Sequence, residues 1–154
     1  MSEDSADGPA PDGTYPTDVV ELAARLVRIA SENPPGNERP CAEYVVDWFT
    51  AHGVDAELVP TPGTDRPNAV ATVGSGDPTL VLNGHTDVVP ADDPDDWDDD
   101  PFGGEVADGR LWGRGSADMK TGLALAMVAA RNRAAALAAG EDLPGTLVVH
   151  AAAG

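Results

Sequence analysis

The chain has 154 residues, 42% of them hydrophobic, which is enough for one domain with a buried core. It carries 27 acidic and nine basic residues, a formal net charge of −18, so we expect no nucleic-acid or membrane partner, because such binding depends on lysine and arginine contacts with phosphate. No run of the sequence approaches the roughly 18 to 20 apolar residues that a membrane-spanning helix needs.

The negative charge admits two interpretations. Carboxylates are spread along the whole chain, and Lys120 is its only lysine. An even distribution favours adaptation to a high-salt environment, in which ions screen self-repulsion, over an acid-rich surface for a binding partner. We therefore interpret the charge as a sign of habitat rather than of chemistry.

The N-terminal residues 1–16 are acidic and rich in Pro and Gly, which predicts a disordered tail. They lack the basic and apolar regions of a secretory signal peptide, so we expect a cytoplasmic protein. Cys41 is the only cysteine, so no internal disulfide can form. Its place on the apolar face of a predicted helix indicates a core residue.

Two helices are predicted next. The run "TDVVELAARLVRIAS" has apolar residues at helical spacing, with Thr17 as a plausible N-cap. The segment "ENPPGNE" ends that helix. The run "ERPCAEYVVDWFTAHG" predicts a second helix that ends at Gly53, a residue type that suits the position after a helix.

Strands dominate the rest of the chain. The runs "DAELVP" and "NAVATVG" are strand-like, and "PTLVLNGH" is a short continuous apolar run, as expected of a strand buried on both faces. A short hairpin is predicted about Asp108-Gly109, and a long Ala-rich helix from near Asp118 to about Ala139.

The last run, "GTLVVHAAAG", predicts one more buried strand, and helices and strands interleave along the chain. This order predicts an α/β domain with helices packed on a mostly parallel or mixed sheet. Site residues of such sheets gather at the carboxyl ends of strands, and the chain ends there at Gly154. We therefore expect a truncated domain.

Three side chains are candidates for chemistry. His85 and Asp87 stand two apart at the end of a predicted strand and project to the same face. A metal-binding imidazole usually donates its second N–H to a carboxylate or carbonyl, which such a pair could supply, but a capped turn is the alternative. Asp118 follows the Gly-rich "GRGSA" at a predicted helix start, where it either points into a cleft or serves as a plain N-cap.

Other polar residues are interpreted as structural. His52 lies near a helix C-terminus, which suits a partly cationic ring, and His150 lies on the last strand as a core or edge residue. Arg114 either binds an anion or braces its loop. The carboxylates between Asp92 and Asp100 are interpreted as solvated loop charges.

Three stretches appear in an order and approximate spacing that also occur in a known protein family: "SENPPGNE", "LNGHTDVVP" and "WDDDPFGGEVADGRLWGRGSADMKTGLA". The chain resembles the N-terminal part of the dizinc metallopeptidase/deacylase family that includes acetylornithine deacetylase, succinyl-diaminopimelate desuccinylase, carboxypeptidase G and aminoacylase. The resemblance covers residues 17–154. It implies a three-layer α/β/α zinc-exopeptidase-like catalytic domain with a mixed, mostly parallel sheet, here truncated.

The resemblance also implies roles for the candidate residues. His85 would ligate one zinc ion, Asp118 would bridge two zinc ions about 3.5 to 4 Å apart, and Asp87 would orient His85 in catalysis. Cobalt is an expected substitute for zinc. The Asp118–Met119 peptide would be cis. The expected reaction is hydrolysis of the amide bond of an N-acyl amino acid or peptide by metal-activated water, and the full-length form would be a homodimer.

One departure from the family is informative. In the family, the strand corresponding to "TLVVHAAAG" leads into a Glu-Glu pair that supplies the general base and a zinc ligand, whereas this chain ends at Gly154. A catalytic zinc site normally has about three protein ligands, so we expect this chain to be an inactive fragment that binds zinc weakly. The alternative is a non-catalytic acidic binding domain, or a decayed-gene remnant, that retains the fold.

Overall fold

A computed structural model describes residues 15–154, and most of the predicted tail lies outside this range. The last two residues of that tail pack against the folded part. The ring of Tyr15 lies 5.7 Å from that of Tyr44, and the Pro16 carbonyl accepts a hydrogen bond of 2.8 Å from the Trp48 indole. Residues 15 and 16 of the predicted tail therefore belong to the folded part, and the prediction of disorder for residues 1–14 lies outside the described residues.

The described chain contains three longer helices and six strands, with a one-turn helix at Pro94–Asp96 and an irregular turn at Ser116–Lys120. In chain order these elements are α1 Val19–Arg28, α2 Arg39–Ala51, β1 Asp55–Val59, β2 Asn68–Ser75, β3 Thr79–His85, β4 Glu105–Ala107, β5 Arg110–Trp112, α3 Thr121–Ala138 and β6 Gly145–Ala152.

The helix ends follow from local chemistry. Asp18 caps α1, because its carboxylate accepts hydrogen bonds from the backbone N–H groups of Val20 and Glu21 at 2.9 and 3.1 Å. The prediction of Thr17 as N-cap is thus wrong by one residue. Helix α2 ends near the predicted residue: His52 is its C-cap, and Gly53 follows at a φ of 71°.

The main sheet has the strand order β1-β2-β6-β3. Strands β1 and β2 are antiparallel, as are β2 and β6, whereas β3 and β6 are parallel and are joined by a crossover that contains α3. The predicted mixed sheet is confirmed. Its parallel share within residues 15–154 is smaller than expected, because the turn-rich segment between β1 and β2 closes a hairpin.

The three helices cover one face of this sheet. Side chains from α1, α2 and α3 form a single core with the inward residues of β2 and β6, and the other sheet face carries no helix within residues 15–154. Two of the three expected layers are therefore present in the described part. The buried sheet residues are Ala69, Ala71, Val73, Leu147, Val149 and Ala151.

Strand β3 differs from its prediction. It was expected to be buried on both faces, but it lies at the sheet edge and pairs only with β6 in the described part. Leu80 and Val81 are consequently 60% and 52% exposed. Strand β6 lies between β2 and β3 inside the sheet, in agreement with the predicted buried strand, and Cys41 is buried in the core, as predicted.

The second sheet is the two-stranded hairpin β4–β5. Asp108 and Gly109 occupy its turn with φ values of 52° and 73°, which confirms the predicted position. Among residues 15–154, no helix combines the length and the apolar character required to traverse a lipid bilayer.

Candidate metal centre

His85 is the last residue of β3, at the carboxyl end of the parallel pair β3–β6. Its Nδ1 lies 2.9 Å from the backbone carbonyl oxygen of Asp87 and 3.1 Å from the Asp87 carboxylate. With Nδ1–H directed at these two acceptors, the lone pair of Nε2 is left for another ligand. Two oxygen atoms of Asp87, one in the backbone and one in the side chain, therefore lie close enough to Nδ1 to orient the ring.

The chain after His85 is held by backbone pairing. The N–H of Thr86 donates to the Ala152 carbonyl at 2.8 Å, and the hydroxyl of Ser31 donates to the Thr86 carbonyl at 2.6 Å. The N–H of Val88 donates to the Ser31 carbonyl at 2.9 Å. The end of β3 is therefore clamped between β6 and the segment after α1, which fixes the direction of the imidazole.

Asp118 lies in the irregular turn before α3, with a φ of −126° and a ψ of 96°, so it is neither helical nor a helix N-cap. The Asp118–Met119 peptide is cis, which confirms the prediction. The long helix begins only at Thr121, three residues later than predicted, and the Asp118 side chain is 87% exposed. The N-cap alternative for Asp118 is thereby wrong.

The two candidate ligands face each other. His85 Nε2 lies 2.9 Å from Asp118 Oδ1. Burial opposes protonation of His85, but hydrogen bonds to the Asp87 carbonyl and the Asp118 carboxylate, together with the charges of both residues, outweigh it and raise the pKa of His85 above its ordinary value. These surroundings thus favour the protonated imidazole more than water does.

The geometry fits a metal ion. Two ligands that are each about 2 Å from one zinc ion lie no more than about 4 Å apart, and the separation of 2.9 Å satisfies this limit. An imidazole nitrogen and a carboxylate oxygen are both common zinc ligands. Within residues 15–154, no group of three or more His, Cys, Asp or Glu side chains is arranged to hold an ion.

The remaining histidines lie elsewhere. His52 follows α2, where its Nδ1 is 2.7 Å from the Trp48 carbonyl, and His150 on β6 is 2.6 Å from the Asn83 side chain. Both have structural partners, in agreement with the sequence-based interpretation. The Arg114 guanidinium stacks 4.8 Å from the Trp97 ring and so braces its loop.

Three charged residues near the site were not recognised from the sequence. Lys120 is buried directly after the cis peptide and donates a hydrogen bond of 2.5 Å to the Ile29 carbonyl at the end of α1. Glu38 is buried and pairs with Arg66. Lys120 could have been singled out from the sequence, because it is the only lysine of the chain. Nothing in the local sequence connects Glu38 with Arg66.

Comparisons with known proteins agree with this geometry. The sequence profile of peptidase family M20/M25/M40 matches residues 81–153, which include both facing side chains. The succinyl-diaminopimelate desuccinylase of Xanthomonas campestris pv. campestris is 43% identical over 133 residues, which make up 86% of this chain and 34% of that protein. The chain thus spans about a third of the length of this curated relative.

Two solved structures share the fold. An M20 family metallo-carboxypeptidase from Sulfolobus solfataricus superimposes with a TM-score of 0.76 at 23% identity, over 88% of this chain and 30% of that one. Human carnosine dipeptidase 1 superimposes with a TM-score of 0.69 at 27% identity, over 88% of this chain and 31% of that one. This family is metal-dependent, and the relatives named here are a desuccinylase, a metallo-carboxypeptidase and a dipeptidase. The chain belongs to peptidase family M20/M25/M40, as the resemblance in its motifs implied.

Proposed function

We propose that this chain carries part of the zinc centre of a hydrolase that cleaves the amide bond of N-acyl amino acids or peptides. The observation that carries the proposal is the separation of 2.9 Å between His85 Nε2 and Asp118 Oδ1, with Nδ1 of the same ring directed at Asp87. Two unlike ligand types converge on one point, and one of them is held in a single orientation. A histidine oriented in this way is typical of metal sites.

Each residue has a distinct task. His85 would hold one zinc ion through Nε2, and the largely exposed carboxylate of Asp118 would bridge it to a second ion. Asp87 would keep the proton on Nδ1 and so keep Nε2 deprotonated toward the metal. When bound, zinc supplies Lewis-acid chemistry, since it polarises a carbonyl group and lowers the pKa of water.

The substrate class is inferred from the relatives. One relative is a desuccinylase and another is a dipeptidase, and both activities break an amide bond next to an amino acid. We infer the same bond type for the protein to which this chain corresponds. A cytoplasmic location and a homodimeric full-length form belong to the same proposal, as does adaptation to high salt.

By itself, we expect the chain to bind zinc weakly and to show no deacylase turnover. His85 and Asp118 supply two ligands, whereas a catalytic zinc site normally has about three. Cobalt, which replaces zinc in many such sites, provides a spectroscopic probe of the same ligands. Turnover of an N-succinyl or N-acetyl amino acid by the metal-loaded chain would contradict this expectation.

The test is a zinc titration of the 154-residue chain followed by NMR, which detects weak binding. We expect the His85 ring resonances to shift on addition of zinc, and either His85→Ala or Asp118→Asn to weaken binding by at least tenfold. His52→Gln is the matched control, since that ring contacts Trp48 instead. If the two site variants bind zinc as tightly as the original chain does, the proposed centre is wrong. The remaining hypothesis would then be a non-catalytic acidic binding domain.

A further inference from the structure

Behind the candidate centre lies a buried ion pair. The Glu38 side chain has no exposed surface, and Arg66 donates to it through Nε at 3.0 Å to both carboxylate oxygens and through Nη2 at 2.5 Å to one of them. A carboxylate without access to water is tolerated only when it is paired and hydrogen-bonded. Glu38 therefore fixes the guanidinium of Arg66 in one place.

Gly36 makes room for this arrangement. A Cβ atom at this position would lie 2.9 Å from Cδ of Arg66, and the residue adopts a φ of 108°, which disfavours any side chain. Both Gly36 and Glu38 belong to the motif "SENPPGNE", to which the proposed zinc chemistry assigns no role. The motif instead supplies the two residues, Gly36 and Glu38, against which the Arg66 side chain packs.

The other side of Arg66 faces the candidate centre. Its Nη2 also donates a hydrogen bond to the carbonyl of Gly154, just beyond β6. Hydrogen bonds to Glu38 chiefly raise the pKa of Arg66, and the negative charge of Asp87 raises it further. The Asp87 carboxylate lies against Gly154, because a Cβ atom on that glycine would overlap it. Asn68, which follows Arg66 by two residues in the chain, also contacts this end of β6. Its side-chain oxygen accepts a hydrogen bond of 2.9 Å from the N–H of Ala153.

These contacts converge on one task. Neutralising Glu38 alone would not require Arg66 to bind the backbone of Gly154, the residue against which the Asp87 carboxylate lies, yet it does so. Asp87 in turn orients His85 through Nδ1. Hydrogen bonds thus link the buried Glu38 through Arg66 to the Gly154 backbone, and the Asp87 carboxylate lies next to both that backbone and the imidazole.

We propose that Arg66, seated on Glu38, is a positioning residue of the metal centre: it holds Asp87 behind the His85 ring and fixes the chain that leaves β6. This inference rests on the proposed function, because it concerns the same centre. It assigns Arg66 no contact with the metal ion or with a substrate. Its effect is exerted through Asp87 and through the backbone at residues 153–154.

The test compares zinc affinity among variants of the 154-residue chain by NMR titration. In Glu38→Gln/Arg66→Met both charges of the pair are removed together, so no uncompensated charge stays buried. We expect this double variant to bind zinc about tenfold more weakly, the loss that partners of metal ligands commonly cause. Arg66→Lys keeps the charge but not the planar fork, and we expect it to bind zinc roughly threefold more weakly.

Arg133→Met is the matched control. Arg133 also donates to backbone carbonyls, those of Leu143, Pro144 and Gly145, but at the start of β6 rather than at its end. Thermal unfolding of the metal-free chain reports the structural loss in each variant. If Arg66 were merely structural, the double variant and Arg133→Met would lower the melting temperature while leaving zinc affinity unchanged.

The outcomes separate the two proposals. Zinc binding that depends on His85 but stays within about twofold in the Glu38→Gln/Arg66→Met variant would overturn the role of Arg66 and leave the zinc centre standing. Zinc binding that is insensitive to His85 would overturn both. If the double variant does not fold, Arg66→Lys decides: unchanged affinity refutes the positioning role, and a threefold loss supports it.

Discussion

His85 Nε2 and Asp118 Oδ1 lie 2.9 Å apart although the two residues are separated by 33 positions in the chain. The first side chain is placed by the parallel pairing of β3 with β6, and the second by an irregular turn with a cis peptide before α3. Neither residue is in a regular helix, and the Asp118 side chain is 87% exposed. Their approach is therefore a property of the site rather than of the core.

The carboxylate of Asp87 supports one prediction about this site. We expect Asp87→Asn to weaken zinc binding by about tenfold, at the low end for partners of metal ligands, because the backbone carbonyl of residue 87 still accepts from Nδ1. An NMR-detected zinc titration measures the change. Asp65→Asn removes an equal charge from an exposed carboxylate that pairs with Arg39 and should have no effect. Unchanged zinc affinity in Asp87→Asn would contradict the orienting role of its carboxylate.

The sequence was sufficient to predict those site residues that stand in short motifs. His85, Asp87 and Asp118 stand in short motifs whose residue order carries the resemblance, and the cis peptide followed from that resemblance. Arg66 was not foreseeable, because its partners Glu38 and Gly154 lie 28 and 88 positions away, and only the tertiary fold brings them together.

The errors in the fold have similar causes. A continuous apolar run describes β3 correctly as a strand, but its burial depends on neighbours that local sequence does not specify, and β3 is an edge strand within the described residues. Thr17 and Asp18 have equivalent capping chemistry, so the choice between them depends on backbone geometry. The start of α3 was misplaced because the turn around Asp118 has helix-forming neighbours.

Gly115 provides a second prediction. It precedes the turn that carries Asp118, has a φ of 82°, and a Cβ atom there would lie 2.5 Å from Cγ1 of Val88 in the segment after His85. We expect Gly115→Ala to lower the free energy of unfolding by roughly 2 to 4 kcal/mol, since a steric clash adds to the strained backbone conformation. It should also weaken zinc binding, because the turn with Asp118 must move away from the β3 segment.

The matched control for this prediction is Gly109→Ala. Gly109 has a similar φ of 73°, but nothing lies within 4 Å of the place that a Cβ atom would occupy, so the variant should cost only about 1 kcal/mol and leave zinc binding unchanged. Chemical denaturation measures both changes. Equal losses of stability in the two variants would contradict the assigned clash with Val88.

The excess of carboxylates leads to a third prediction. With a net charge of −18, the folded chain repels itself at low ionic strength, and salt shortens the range of that repulsion from about 10 Å at 0.1 M to about 3 Å at 1 M. We expect the free energy of unfolding to rise over this interval by roughly 1 kcal/mol or more, the scale of one or two surface charge pairs. Chemical denaturation with urea, which adds no ions, measures it.

A charge-reduced variant separates this effect from general salting-out. Asp95, Asp98 and Asp99 are all exposed in the loop after β3. Their joint replacement by Asn should raise stability at low salt and flatten the salt dependence. The interpretation as salt adaptation would be wrong if the original chain were equally stable at both ionic strengths.

Tyr44 yields a prediction about alkaline pH. Its side chain is buried in the core, and this burial raises its pKa to about 12, although the neighbouring Arg25 guanidinium opposes the shift. An unfolded tyrosine ionises near pH 10, so the folded state holds its proton more tightly. The resulting stabilisation is fully present below about pH 10 and is lost as the pH rises to about 12.

The size of this loss follows from linkage. A shift of about two pH units corresponds to roughly 2 to 3 kcal/mol of unfolding free energy between these limits. Other groups also titrate in this range, including Tyr15, whose pKa is raised mainly by burial. The measurement is therefore the difference between the original chain and Tyr44→Phe in urea denaturation across the interval. We expect the original chain to lose stability more steeply, and parallel curves would show that the Tyr44 phenol ionises in the folded protein as it does in water.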